Sequence, residues 1–206
     1  MERDNTKGDI LRAIIRLAGT KSLDKVYIRD AAEAAGVSRQ TFYYHFDGIF
    51  DVYAWAVRSH LRYKGDNGDA PPSFLMTVYD WFRALHEEKE ATILFFNSKY
   101  ITDLHDFLQS EFRPVAKAEL KYNIGDRLSP ESLQTCANYL VSANLGTLGD
   151  WIRESMGSSL KDVFRPIDEF MRIVVNPEIL QMIVKARDTD PAGTSKVHLP
   201  AGVIRE

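Results

Sequence analysis

The chain has 206 residues, 45% of them hydrophobic and 27% charged, with a formal net charge of −3. This composition is typical of a soluble globular protein and excludes a disordered one. One cysteine, Cys136, excludes an intramolecular disulfide and fits a reducing cytoplasm. No apolar run approaches the roughly 18 residues of a membrane span, and the polar N-terminus does not resemble a signal peptide. We therefore expect a cytoplasmic protein that does not enter membranes.

Positive charge is concentrated toward the N-terminus. Residues 1–63 carry ten Lys or Arg and eight Asp or Glu, a net of +2, whereas the remainder carries 16 basic and 21 acidic side chains, a net of −5. The sign of this asymmetry suits nucleic-acid binding by the first part of the chain. Its small size does not by itself indicate such binding.

Four helices are predicted in residues 1–64. Apolar residues at helical spacing predict the first from Thr6 to about Thr20, with Thr6 as its cap, and a loop follows over 21–25. The second runs from Ile28 to Ala35, the third is short and covers 38–46, and the fourth runs from Ile49 to about Lys64. The first would pack across the back of the second and third.

The junction between the second and third helices is a tight turn. Gly36 follows the last apolar position of the second helix and is free to take the positive φ that ends a helix. Val37 is placed to fill the angle between the two helices. Ser38 is a good N-cap, because its hydroxyl accepts a backbone N–H left unpaired at a helix start. The pattern predicts a helix-turn-helix.

The third helix has an unusual outward face. Val37, Phe42 and Phe46 fall on its inner side. Arginine pairs with guanine and glutamine with adenine in the major groove of DNA, while hydroxyl and imidazole groups suit phosphate oxygens. The outward residues therefore favour a DNA-reading helix over the alternative, an ordinary helical hairpin with a mixed surface. They are Arg39, Gln40, Thr41, Tyr43, Tyr44 and His45.

Ala35-Gly36-Val37-Ser38 followed by Thr41-Phe42-Tyr43-Tyr44-His45-Phe46 resembles the signature of the TetR/AcrR family of bacterial transcription regulators. The resemblance covers about the first third of the chain. It implies base contacts from Arg29, Arg39, Gln40, Thr41 and Tyr43, and contacts to the DNA backbone from Ser38, Tyr44 and His45.

Two positions depart from the family pattern. Tyr27 stands where Thr or Ser usually caps the second helix, and Ile49 stands where a lysine usually contacts a phosphate. Each phosphate neutralised by a cation contributes about one unit to the dependence of log affinity on log salt concentration. We therefore predict a shallower salt dependence of DNA binding than in relatives that keep the lysine.

A break separates the first domain, 1–64, from the rest. Residues 65–72 combine glycines, prolines and small polar residues that do not continue a helix, so we predict a linker there. Helices follow over 73–88, 89–99, 101–122, 130–156 and 160–175, with a short last run over 178–187 and a broken, mobile tail over 188–206. Pro114 marks either a kink or the first turn of a new helix. No alternating strand pattern and no repeat occurs, which predicts an all-α protein with a regulatory domain over 73–187.

The second domain is rich in aromatic residues. Facing aromatic side chains either fill a core or surround a ligand cavity, and periodicity alone favours the core. The family resemblance implies an unidentified small-molecule effector bound among these helices. The candidate lining residues are Trp81, Phe82, His86, Phe96, Tyr100, His105, Asn138 and Asn144.

Small residues mark one face of the helix over 130–156. Ser142, Gly146 and Gly149 lie at i, i+4 and i+7, and glycine inside a helix costs about 1 kcal/mol relative to alanine, so something approaches this face closely. The resemblance implies a four-helix dimer interface here, in which we also place Arg153. Close packing within one chain is the alternative. Residues 144–151 also resemble a Gly-rich stretch of dihydroxyacetone-kinase regulators.

Dimerisation follows from the DNA hypothesis, since two reading helices 34–36 Å apart span one turn of a palindromic operator. A ligand that favours another spacing would release the DNA. No catalytic, metal-binding or cofactor-binding motif is present, so we expect a ligand-responsive regulator, a repressor, rather than an enzyme. The alternative is a co-regulator of the same fold that acts through protein contacts without binding DNA.

Overall fold

The structure, a computed structural model, describes residues 2–62, 70–124 and 128–174, with side chains placed over 6–62, 70–123 and 128–170. In these ranges the chain forms nine α-helices, one 3-10 turn and no β-strand, so the all-α prediction is confirmed. The elements in chain order are α1 (Glu2–Ala18), the 3-10 turn (Leu23–Lys25), α2 (Ile28–Ala34), α3 (Arg39–His45), α4 (Ile49–Ser59), α5 (Phe74–Glu87), α6 (Lys89–Phe96), α7 (Ile101–Ile124), α8 (Pro130–Arg153) and α9 (Leu160–Val174).

Four helix ends differ from the predictions by three residues or more, and one of them is that of α6, which ends at Phe96 rather than near Lys99. α1 begins at Glu2, so Thr6 lies inside the helix and is not its cap. α4 ends at Ser59 rather than near Lys64, because α5 binds the backbone beyond it: Arg83 donates to the His60 carbonyl at 2.6 Å, and the Arg62 N–H donates to Asp80 at 2.6 Å. α8 ends at Arg153 because positive φ angles at residues 155 and 156 turn the chain.

Helices α1 to α4 form the N-terminal part, which we call the head. α1 packs against α2 and α4, and it buries Ile10 and Ile14 almost completely. Phe42 from α3 and Val52 from α4 close the same core. The three short helices are thereby held at fixed angles by one apolar cluster.

Helices α5 to α9 form the body. α7 and α8 make the most extensive helix pair, and α5 packs against α4, α6, α7 and α9. α7 continues through Pro114 as one helix, so of the two alternatives for this proline, a kink or a new helix start, the new helix start is wrong. Trp81 packs edge to face against Phe107 and Phe112, and its buried ring fills the centre of the body.

Part of the predicted domain organisation lies outside the described residues. This applies to 63–69, which include most of the expected linker, and to the expected last helix over 178–187 and tail over 188–206. Residues 70–73 are non-helical. Among the helices described, none is both long and apolar enough to cross a bilayer.

Candidate nucleic-acid interface

The turn between α2 and α3 has the geometry that its sequence predicts. Gly36 has a φ of +69°, in the left-handed region that glycine reaches without strain. Its N–H bonds to the Glu33 carbonyl at 3.0 Å, and the Val37 N–H bonds to the Ala32 carbonyl at 2.9 Å. These two bonds close α2 and direct the chain into α3.

Ser38 caps α3 as predicted. Its Oγ accepts the Thr41 backbone N–H at 2.9 Å and lies 2.8 Å from the Thr41 hydroxyl. The pair satisfies the first turn of the helix and fixes where α3 begins. Thr41 is consequently half-buried and already hydrogen-bonded, unlike its exposed neighbours Arg39 and Gln40.

The start of α2 is stabilised by Asp30 and Lys21 rather than by the side chain of its N-cap residue. Tyr27 makes no side-chain cap bond, as its departure from the family pattern predicts. Asp30 instead accepts the Tyr27 backbone N–H at 3.4 Å, and Lys21 holds the same carboxylate at 2.6 Å. The hydrogen bond from Lys21 lowers the pKa of Asp30, so the carboxylate is ionised at neutral pH.

α3 presents one polar face to solvent. Phe42 and Phe46 are buried beneath it, and Phe46 packs edge to face on Trp55 with ring centroids 5.8 Å apart. On the outer side Tyr43 and Tyr44 are 50% and 69% exposed. Arg39 and Gln40 are exposed as well, while His45 is half-buried with its ring 5.0 Å from that of Tyr44.

A groove of about 710 Å³ lies between the head and the body, beside α3. Among the described residues, its lining includes the cations Arg29, Arg39 and Lys99 and no acidic side chain. We call it the head–body groove. Its lining residues are Val26, Tyr27, Ile28, Arg29, Arg39, Tyr43, Gly48, Ile49, Phe50, Lys99 and Tyr100.

The body contributes Lys99 to this groove through the loop between α6 and α7. The Lys99 backbone N–H donates to Asp24 Oδ1 at 2.7 Å, and its ammonium donates to the Asp24 carbonyl at 3.0 Å. Lys99 was not among the predicted site residues, because these contacts join positions 75 residues apart and leave no local pattern.

Ile49 cannot act as the family lysine does. Its side chain is only 4% exposed and belongs to the head core, although its position borders the groove. The first turn of α4 therefore presents no cation where the family pattern has one.

α4 joins the head to the body through a buried hydrogen-bond chain. The Tyr53 hydroxyl donates to Thr92 Oγ1 at 2.9 Å, and Thr92 donates in turn to the Leu85 carbonyl at 2.8 Å. The Tyr53 ring also stacks on Phe95 at 4.4 Å. Burial raises the pKa of the Tyr53 phenol well above its ordinary value, so this hydroxyl keeps its proton and remains a donor.

The eight residues predicted to line an effector pocket do not meet in one cavity. Trp81 and Phe82 belong to the core, His86 lies at the surface with its ring stacked on Trp151, and Asn138 is exposed. The remaining four separate into different places. Phe96 and His105 border a cavity of about 60 Å³ between α6, α7 and α8, Tyr100 lines the head–body groove, and Asn144 lines a groove between α8 and α9.

The small residues of α8 do not share one environment. Ser142 is exposed, and no atom of the described residues lies within 4 Å of a Cβ placed on Gly146. Gly149 is buried, and a Cβ there would lie 3.3 Å from Arg153 Nη2 and 3.8 Å from the Phe96 ring. Arg153 itself pairs with Asp150. Gly149 thus packs against residues of its own chain, whereas the surfaces of Ser142 and Gly146 are exposed.

The groove between α8 and α9, about 470 Å³ in volume, is lined mainly by apolar side chains. Asn144 lies in its floor, 4% exposed, with Nδ2 bonded to the Leu140 carbonyl at 2.8 Å and Oδ1 unpartnered. Phe170, 47% exposed, lies at its edge. We call this surface the α8–α9 face.

Two family models match the chain. Residues 10–52 match the model of bacterial regulatory proteins of the tetR family, and residues 74–172 match that of a transcriptional regulator C-terminal region. The chain belongs to the TetR family. It is therefore a transcriptional regulator with a DNA-binding helix-turn-helix domain, which confirms the resemblance seen in residues 35–46.

This TetR-family chain has no match among curated proteins. Among solved structures it is similar to the dihydroxyacetone kinase operon activator DhaS, with a TM-score of 0.52, 14% identity, and coverage of 85% of this chain and 97% of that one. At this identity the likeness shows a shared fold. The name of this neighbour is that of a dihydroxyacetone-kinase regulator, the group whose Gly-rich stretch residues 144–151 resemble.

Proposed function

We propose that this TetR-family protein is a homodimeric repressor that binds a palindromic operator through α3 and releases it when an effector binds. The observation that supports this most directly is the outer face of α3, where exposed Arg39, Gln40, Tyr43 and Tyr44 stand on a helix fixed from beneath by buried Phe42 and Phe46. Arg39 forms no ion pair with any described residue. Its guanidinium is free for a base edge.

We assign the contacts of this face by side-chain chemistry. Arg39 and Gln40 would read base edges, with Arg29 and Tyr43 beside them, and Tyr44 and His45 would hold phosphates. Ser38 and Thr41 are engaged with each other, so their main role would be to position the helix start. Thr41 in addition has its methyl group available for apolar contact with a base.

The α8–α9 face supports a dimer. It combines an apolar groove, the exposed ring of Phe170 and the open position at Gly146, and these features suit close packing of helices from a second copy. A dimer is what the operator hypothesis requires, since one short helix reads only a few base pairs.

We place the effector at the cavity of about 60 Å³ next to Phe96 and His105. Drug-sized ligands occupy roughly 300–1,000 Å³. An effector would therefore have to separate α6, α7 and α8, and movement of α6 would reach α4 through Thr92 and Tyr53. Ligand binding and DNA binding would oppose each other by this route.

Selection from a random library of duplex DNA tests the proposal. The protein should enrich a palindrome with half-sites one helical turn apart, and Arg39→Ala should weaken binding to it by roughly 1–3 kcal/mol with relaxed preference at one base. Lys121→Gln, at an exposed site on α7, is the control and should bind as the wild type does. Failure to enrich any duplex would favour the co-regulator alternative, for which buried Ile49 is the supporting observation.

The sign of regulation has its own experiment. Repression needs only occupancy of the promoter, whereas activation needs a further contact with the transcription machinery. We expect transcription in vitro from a promoter that overlaps the selected site to fall when the protein is added. A rise would make it an activator, which is what DhaS is named.

A further inference from the structure

The lining of the head–body groove includes two residues of special interest. Ile49 stands where the family pattern has a lysine, and Lys99 is a cation to which the family pattern assigns no role. Ile49 borders the groove from the first turn of α4, and Lys99 borders it from the loop of the body. Ile49 is buried and uncharged, whereas Lys99 is exposed. The groove thus carries a positive charge from the body instead of one from the first turn of α4.

Lys99 is held in place rather than free to swing. Its backbone N–H and its ammonium both bond to Asp24 of the head, at 2.7 and 3.0 Å. The next residue, Tyr100, packs its ring on Phe50 and Phe95 at 6.4 and 5.5 Å. One of the three donors of the ammonium is used by the Asp24 carbonyl, and the ammonium also lies over the Tyr100 ring, 5.2 Å from its centroid, so at most two donors remain for a ligand.

The chemistry of the groove suits a polyanion. Arg29, Arg39 and Lys99 supply charge, and the phenols of Tyr27 and Tyr43 supply further donors, with no carboxylate in the lining. Three carboxylates lie nearby: Asp24 Oδ1 accepts the Lys99 backbone N–H, and Asp30 is paired with Lys21 and with Arg29. The third is Asp103, since the pKa of Tyr100 is raised by burial and by the charges of Asp103 and Asp24. Cations and hydroxyl groups in this arrangement are the contacts that sugar–phosphate backbones receive.

Arg39 and Tyr43 belong both to the groove and to the outer face of α3. A duplex read by α3 therefore extends its backbone toward the groove and toward Lys99. We propose that Lys99, a residue of the body, binds a backbone phosphate of the DNA and supplies the cation that Ile49 does not. This inference rests on the proposed DNA-binding function and deepens it.

The assignment gives the body a direct part in DNA affinity. A change in the loop between α6 and α7 that breaks the Asp24 contacts would withdraw one phosphate contact from each protomer. The loss of salt dependence predicted from Ile49 would then be offset by Lys99, so long as the loop is docked on the head.

The experiment measures how affinity depends on salt, by fluorescence anisotropy with the selected duplex, for wild type, Lys99→Gln, Lys99→Arg and the control Lys121→Gln. Lys99→Gln should reduce the magnitude of the slope of log affinity against log salt by about 0.9 for each bound protomer. Lys99→Arg and Lys121→Gln should keep the wild-type slope. Sequence preference should be unchanged in all four, because a phosphate contact carries no base information.

A merely structural role for Lys99 would lower affinity by the same factor at every salt concentration and leave the slope intact, and that result would overturn the inference. Thermal unfolding by circular dichroism confirms that each variant is folded. Absence of binding by the wild type even at low salt would overturn the proposed function itself. Normal wild-type binding with an unchanged slope in Lys99→Gln would overturn only the assignment of Lys99.

Discussion

The head and the body both expose aromatic side chains, but in opposite surroundings. In the head, Tyr27, Tyr43 and Tyr44 are 62%, 50% and 69% exposed and lie near arginines. In the body, Tyr122 and Tyr139 are each 63% exposed, and Phe170, 47% exposed, lies beside the groove between α8 and α9. Phenols among cations suit a polar, negatively charged partner, whereas a phenyl ring at an apolar groove suits another protein surface. The comparison indicates two interfaces with different partners.

The two regions also differ in how their helices are fixed. In the head, the start of α3 is fixed by a nearby side chain, because Ser38 Oγ accepts the backbone N–H of Thr41, three residues along the chain. In the body, Glu119 accepts the Phe74 N–H from 45 residues away at 2.7 Å. Local caps occur in the body too, since Ser73 accepts the Met76 N–H and Ser129 accepts the Ser132 N–H. The start of α5 differs in that the distant Glu119 carboxylate adds to its local cap.

The largest expected effect separates the buried and exposed sides of α3. Phe42→Ala removes a fully buried ring and should lower the free energy of unfolding by about 3–5 kcal/mol, with loss of DNA binding. Tyr44→Ala alters an exposed ring and should change that free energy by less than about 0.5 kcal/mol, while weakening DNA binding. Chemical denaturation and anisotropy measure the two. Equal losses of stability would show that the outer face of α3 is part of the core.

An intermediate effect tests the α8–α9 face. Gly146→Gln adds a side chain where the single chain has open space, and it should raise helix stability by about 0.5–1 kcal/mol. If a second copy packs closely here, the same change should weaken dimerisation at least about fivefold, since overpacking costs about 1–3 kcal/mol. Sedimentation across a concentration series measures the dimer.

Gly149→Gln is the matched comparison, because Gly149 is buried and a Cβ there would lie 3.3 Å from Arg153 Nη2 and 3.8 Å from the Phe96 ring. It should destabilise the protomer before any dimer forms. If the Gly146→Gln protein dimerises like the wild type, the dimer interface does not include this part of α8.

The contrast between Gly146 and Gly149 shows where sequence reasoning stops. The turn at Gly36 and the cap at Ser38 were predictable because each depends on residues within a few positions. Periodicity placed both α8 glycines on one small-residue face, but only the path of α6 decides that Phe96 covers one of them. Lys99 gave no signal for the same reason, since Asp24 is its partner only in the folded chain.

The effector residues illustrate the same limit. Trp81 and Phe82 have the spacing of either a core or a cavity, and the choice depends on whether Phe107, Phe112 and Trp151 meet them. They do, so both rings fill the core. Spacing along one helix carries no information on which rings arrive from the others.

The smallest expected effect concerns Glu119, whose carboxylate caps α5 from α7. Burial raises the pKa of Glu119, and the Phe74 N–H opposes that rise. A carboxyl group whose pKa is higher in the folded than in the unfolded chain loses stabilising protonation as pH rises. Glu119 should therefore add stability as pH falls from 7 toward the ordinary glutamate value of about 4.3, against the opposite trend from Asp30 and Glu87, whose pKa values are lowered.

Glu119→Gln keeps an oxygen for the Phe74 N–H but carries no charge to desolvate. We expect it to be more stable than the wild type at pH 7, by less than about 1 kcal/mol, and the difference to shrink on acidification. Glu169→Gln, at an exposed site on α9, should show no such trend. If the difference instead grew at low pH, the hydrogen bond to Phe74 would outweigh burial, and α5 would be capped by a stabilised anion. The body would then fix this helix with charge, much as Lys21 and Asp30 fix the start of α2 in the head.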